Sequence, residues 1–185
     1  MKMQTLKDLY IDELKDTYDA EQQLMKALPK MAKEASNEEL RAAFEQHLDQ
    51  TQTQIERLEQ IFEELGEKPK GKKCEAMKGL LEEAKSMMEE AEDEDVADAA
   101  MIGSAQKVEH YEIAAYGTLR TYAELLGFDE QAELLQETLD EEKETDENLT
   151  ELAVTCINFE ANEEEEGEEE EEESTNRVRG QKANK

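Results

Sequence analysis

The sequence predicts an all-α protein built as a four-helix bundle, and three observations carry the prediction. The 185 residues include no Trp, two Pro and eight Gly, and they draw on Ala, Leu, Glu, Lys and Gln, which lose least on entering a helix. Apolar residues recur every three or four positions through four long segments, the period of a helix with one buried stripe. Turn chemistry bounds those segments, with Gly66 and Gly127 as the clearest stops.

Helix A is expected over residues 5–35, with Leu6, Leu14, Leu24, Leu28 and Met31 on its stripe. Pro29 lies inside it and leaves the Met25 carbonyl without its usual amide, which predicts a kink. Ser36 followed by Glu39 reads as a capping box that opens helix B, and this helix runs through Leu40, Phe44, His47, Gln54, Leu58 and Leu65 to Gly66. The stretch EKPKGKKCEAMKG is a basic connection, and Cys74 to Ala91 after it reads as a shorter crossover helix. Asp95 is the expected start of helix C, which ends before Gly127. Asp129 is the expected cap of helix D, which continues to Ile157. Tight turns inside each pair and a long link between pairs describe a bundle with one crossover, a ferritin-like architecture. Residues 1–159 form this domain. Residues 160–185 have no apolar face and a block of like charge, so they read as an acidic disordered tail.

The charge excludes several function classes. Asp and Glu number 51 against 21 Lys and Arg, a net charge of −30. A phosphate backbone or an anionic membrane surface is repelled by such a field, so neither nucleic acid nor membrane is an expected partner. No stretch approaches the roughly 18 apolar residues of a membrane span, and the first residues carry acids where a signal peptide needs an apolar centre. The expectation is a soluble, cytoplasmic protein. The tail holds 11 Glu against 4 Lys and Arg, so the body keeps −23 of the −30. That acidity reads either as adaptation to high salt, where screening relieves self-repulsion, or as an ordinary acidic protein with an acidic tail. Cys74 and Cys156 are the only cysteines, too few for a disulfide framework or a cysteine-based zinc site.

Carboxylates on apolar stripes are the informative feature, because a buried charge must be paired or bind metal. Glu21 borders the helix A stripe. His47 and Gln54 lie on the helix B stripe with Gln50 beside them. Gln106, Glu109 and Glu112 follow one another on helix C, and Glu142 and Asp146 form an i, i+4 pair on helix D. A turn near residue 37 sets Glu21 roughly opposite position 53, near Gln50 and Gln54. A turn near 128 sets Glu109 roughly opposite 147 and Glu112 roughly opposite 144, near Glu142 and Asp146. Carboxylates with a His at mid-height in such a bundle are the arrangement of di-iron and di-manganese sites, and oxygen plus imidazole ligands suit iron or manganese. In so acidic a chain, some acids also fall near any stripe by chance. Tyr18, Tyr111 and Tyr116 could hydrogen-bond to ligands or simply pack in the core.

The segments DTYDAEQQLMKALPKMA (16–32), HLDQTQTQIERLEQIF (47–62), AQKVEHYEIAAYGTL (105–119) and LLQETLDEEKETDENLTELA (134–153) resemble the YciE/YciF-like proteins, a branch of the ferritin-like superfamily. The resemblance implies a dimer-forming bundle linked to stress responses and described as a ferroxidase. It implies a polar core of Glu21, His47, Glu109, Glu112, Glu142 and Asp146. The family usually reads His-x-x-Glu-Thr, whereas this chain has Gln50 at the carboxylate position. The expected ligand set is therefore Glu21, His47, Gln50, Glu109, Glu112, Glu142 and Asp146 around two iron or manganese ions, one of them held less tightly. Three functions follow as alternatives: a ferroxidase or peroxide-consuming enzyme, a non-enzymatic stress protein acting through oligomers or partners, and a remnant that no longer binds metal.

Overall fold

A computed structural model describes residues 3–70 and 72–162, so from residue 163 onward the expected acidic tail lies outside the described residues. Five α-helices form in order: α1 (Leu6–Glu34), α2 (Glu38–Leu65), α3 (Glu75–Glu90), α4 (Glu94–Leu126) and α5 (Asp129–Leu152). A π-turn, Ala153–Ile157, prolongs α5, and helical backbone continues through residue 162. Helix D was expected to run regularly to Ile157; its last turn is instead widened.

The helix ends show how local chemistry is shared out. Thr5 and Asp8 close a capping box at the start of α1, and the helix continues through Pro29. The expected Ser36–Glu39 box does not form. The Ser36 hydroxyl and amide donate to the buried carboxylate of Asp98, at 2.7 and 3.1 Å, and the Asn37 amide donates to it at 2.7 Å. With Ser36 engaged, Asn37 becomes the cap, its Oδ1 accepting from the Glu39 and Leu40 amides, a role Asn fills as well as Ser. Helix α4 begins one residue before Asp95, because Asp93 caps it by accepting from the Asp95 and Val96 amides. Asp129 is the first residue of α5 and Phe128 stands at the cap without a side-chain acceptor. Gly127, at φ +75°, closes α4 so tightly that its own amide and that of Phe128 return to α4 carbonyls, and Phe128 packs on the Tyr10 ring. Asp129 and Glu130 then favour the α5 N-terminus through its dipole.

Two apolar clusters fix the topology. One joins Leu28 of α1, Phe44 of α2, Ile102 of α4 and Leu149 of α5; the other joins Tyr10, Phe62, Leu119 and Leu135 of the same helices. The first half of α1 therefore lies beside the second halves of α2 and α4 and the first half of α5, so α2 and α4 run parallel. The link between them must travel back along the bundle, which α3 does over about 24 Å. Both clusters leave a layer between them, and the buried polar residues Glu21, His47, Thr51, Gln54, Glu109, Glu112 and Glu142 occupy it. Among the described residues, no helix is long and apolar enough to cross a membrane.

Candidate metal centre

Four helices converge on this layer, and three of them bring the residues that stand closest together. Helix α2 brings His47, α4 brings Glu109 and Glu112 one turn apart, and α5 brings Glu142. His47 Nε2 lies 3.4 Å from Glu109 Oε1 and 4.0 Å from Glu142 Oε2. One ligand atom from each of His47, Glu109, Glu112 and Glu142 falls within 4.8 Å of all the others. Their side chains are at most 3% exposed.

Among the described residues, every buried side-chain nitrogen or oxygen without a hydrogen-bond partner, Arg120 Nε excepted, belongs to Glu21, His47, Thr51, Gln54, Glu109, Glu112 or Glu142. Buried polar atoms are normally satisfied, and leaving one without a partner costs about 1–3 kcal/mol. Both His47 nitrogens and both oxygens of Glu112 and of Glu142 are in this state. Such a donor set, oxygen-rich with one imidazole and facing inward, could hold a divalent metal ion.

The electrostatics agree with the geometry. Burial pushes the Glu109 and Glu112 carboxyls well above the ordinary carboxylate range, and the Glu142 and Glu21 charges respectively add to it. Glu21 is pushed up to about 8, by burial first and by Glu142 next. Glu142 rises to about 7 through burial, with Glu109 opposing. Burial lowers His47 to about 4, against the pull of Gln50. Without a cation the layer therefore favours neutral carboxyls and a neutral imidazole.

The structure sorts the expected ligands into three groups. His47, Glu109, Glu112 and Glu142 come together. Glu21 joins them from α1, but its partners lie across the bundle and not on its hairpin mate: Tyr116 Oη donates to Glu21 Oε1 at 2.5 Å, and the Glu112 carboxyl is beside it. Gln50 is half-buried one turn beyond His47. Asp146 points away, accepting from Gln106 Nε2 at 3.1 Å and lying 3.5 Å from His110 Nε2; it sits a turn further along α5 where the face has drifted toward solvent. Of the three tyrosines, Tyr116 alone reaches this group, while Tyr18 donates to Glu59 and Tyr111 to Asp16. Periodicity gave no hint of Arg57, which grips Glu141 through two 2.7 Å hydrogen bonds while Gln54 Nε2 donates to the same carboxylate. The signal was an Arg three residues after a stripe Gln, facing paired acids at 141 and 142.

Known proteins match the whole of this frame. A family model described as a domain of unknown function, DUF892, matches residues 5–162. Protein YciF of Escherichia coli (strain K12) is 54% identical over 162 residues, 87% of this chain and 98% of YciF. The crystal structure of that protein, described as a stress protein, superposes with a TM-score of 0.81, covering 84% of this chain and 99% of its own. YcfI of Rhodopseudomonas palustris, whose description proposes a structural role, is 48% identical with a TM-score of 0.79, over 80% of this chain and 95% of its own. The chain belongs to the DUF892 family of YciF-like proteins.

Proposed function

We propose that His47, Glu109, Glu112 and Glu142, with Glu21 beside them, hold iron or manganese in the bundle core, and that the protein works as a ferroxidase or consumes peroxide. The observation that carries this reading is the set of inward-facing ligand atoms, buried and without partners. A bound iron or manganese ion supplies redox chemistry toward dioxygen or peroxide. The chain's own groups do the rest. The two apolar clusters bound the layer on either side. The raised carboxyls surrender their protons as a cation enters. Tyr116 holds one oxygen of Glu21 and leaves the other free. The homodimer implied by the family resemblance and a cytoplasmic location belong to the same proposal. Titration of the full chain with Fe(II) and Mn(II), followed by elemental analysis, tests it; no metal retained from either solution overturns it.

A second reading, a stress-associated bundle without turnover, is favoured by Gln50. Its amide keeps an oxygen but lacks the charge that offsets repulsion between two divalent ions about 4 Å apart. Calorimetry with Mn(II) is expected to show one tight and one weak position, and Gln50→Glu to tighten the weak one. Two equally tight positions in the natural protein would show that another carboxylate already supplies the charge.

The acidity of the body supports a further part of the proposal, adaptation to high salt. The thermal midpoint is expected to rise between low and molar KCl as the Debye length falls to roughly 3 Å. Equal midpoints would remove salt adaptation and leave the other reading, an ordinary acidic protein with an acidic tail.

A further inference from the structure

An apolar cavity of about 430 Å³ runs from the surface to the His47–Glu109 edge of the carboxylate layer. Leu28 and Met31 of α1, Phe44 of α2, Val108 of α4, and Leu149 and Leu152 from the end of α5 form the apolar part of its walls. Gln46, Gln50, Asn148 and Thr155 add polar groups to the rest. The exposed acids Glu39 and Glu151 stand at its outer end. At its inner end are His47 and Glu109, both almost wholly buried, with His47 Nδ1 and Nε2 and Glu109 Oε2 unpartnered. The volume is in the range of small-ligand sites. Water gains few hydrogen bonds against the apolar part of these walls, so an apolar body is favoured there. Anions are repelled by the acids at the mouth and by the carboxylates behind it. A hydrated cation finds carboxylates at the mouth and in the layer behind, and the apolar stretch between them offers it no ligand. What remains is a neutral molecule that carries one polar group to the unpartnered atoms.

We propose that this cavity binds a small neutral molecule with an apolar body of about ten non-hydrogen atoms and a single hydroxyl or hydroperoxyl head group lying against His47 and Glu109. Binding depends on the cavity and on the unpartnered atoms of His47 and Glu109, and it needs no metal. The reading of the carboxylate layer as a metal centre enters only in making organic hydroperoxides the substrate class it would meet.

The test is calorimetric titration of the full chain, as purified and after chelation, with 2-phenyl-2-propanol. Cumene, which has the same skeleton without the hydroxyl, and the anion hexanoate are the comparison probes. Saturable binding of the alcohol, about tenfold tighter than cumene or hexanoate, is expected after chelation, and metal held by His47 and Glu109 in the chain as purified is expected to weaken it. Ala105→Leu fills the buried wall and Ala43→Phe the half-buried mouth; each is expected to weaken the alcohol at least about tenfold with helicity by circular dichroism unchanged in at least the mouth variant. A flat titration, equal binding of cumene or hexanoate, or binding that survives Ala43→Phe overturns the proposal. So does conversion of dimer to monomer by the mouth variant with no alcohol binding in the natural protein, which would make the cavity a self-association surface. Failure of the chain to retain Fe(II) or Mn(II) after titration would overturn the metal reading and leave alcohol binding intact, so the two failures are distinguishable.

Discussion

Glu109→Ala and Glu142→Ala are each expected to abolish Fe(II) and Mn(II) binding while the chain stays helical. Both acids are buried and belong to the four-residue group with His47 and Glu112. A cation in a buried site needs its charge offset by the residues around it, and removing one carboxylate removes a ligand and a charge together. In the natural protein, metal at about 100 times its dissociation constant adds about 2.7 kcal/mol of stability, which raises the midpoint by roughly 5–10 °C for a chain of this size. That metal-dependent rise should vanish in both variants. Far-ultraviolet circular dichroism with and without Mn(II), alongside metal stoichiometry, measures it. Unchanged stoichiometry in either variant would rule out the ligand assignment.

Metal-free protein is expected to lose stability as the pH rises from 6.5 to 8. Glu142 and Glu21 titrate at about 7 and about 8 in the fold, against an ordinary 4.5, chiefly because they are buried. Between those values the native state binds more protons than the unfolded chain, so this contribution is complete below 4.5 and is lost as the pH climbs through the folded values. His47 has the opposite sign. Burial holds it at about 4, so its contribution is complete above its ordinary 6.5 and is lost as the pH falls toward 4. The window from 6.5 to 8 therefore isolates the carboxyls, and the expected loss is on the order of a few kcal/mol. Metal takes the place of the protons and binds better as the pH rises, so saturating Mn(II) should flatten or reverse the slope. Denaturant midpoints at both pH values, with chelator and with Mn(II), decide the matter; a chelated protein equally stable at 6.5 and 8 would show that these carboxyls are not buried as described.

Local patterns in the sequence were enough to identify five helices and to place a polar layer in the bundle. Periodicity marks the stripes because burial acts on every third or fourth residue, and Gly66 and Gly127 mark their own stops because both adopt positive φ. Glu109, Glu112 and Glu142 were legible for a related reason: a carboxylate on an apolar stripe is costly enough to be conspicuous. Cap identity was less legible. Ser36 and Asn37 are both competent caps, and the choice between them lies with Asp98, 61 positions beyond Asn37 in the chain and invisible to any local rule.

Which acids converge was decided by the tertiary structure. Asp146 shares the stripe of Glu142, yet Gln106 and His110 take its carboxylate. Glu21 was set by its hairpin near Gln50 and Gln54, whereas the α1–α4 packing gives it Tyr116. The cavity beside His47 has no sequence signature at all, since its walls are drawn from five helices and a widened last turn, and only their fit leaves the space. A sequence determines which face of each helix must leave water, because that follows from local chemistry repeated at a fixed period. Packing determines which of those faces meet at a given height, and side chains four residues apart on one stripe then part company because each finds its partners on a different neighbouring helix.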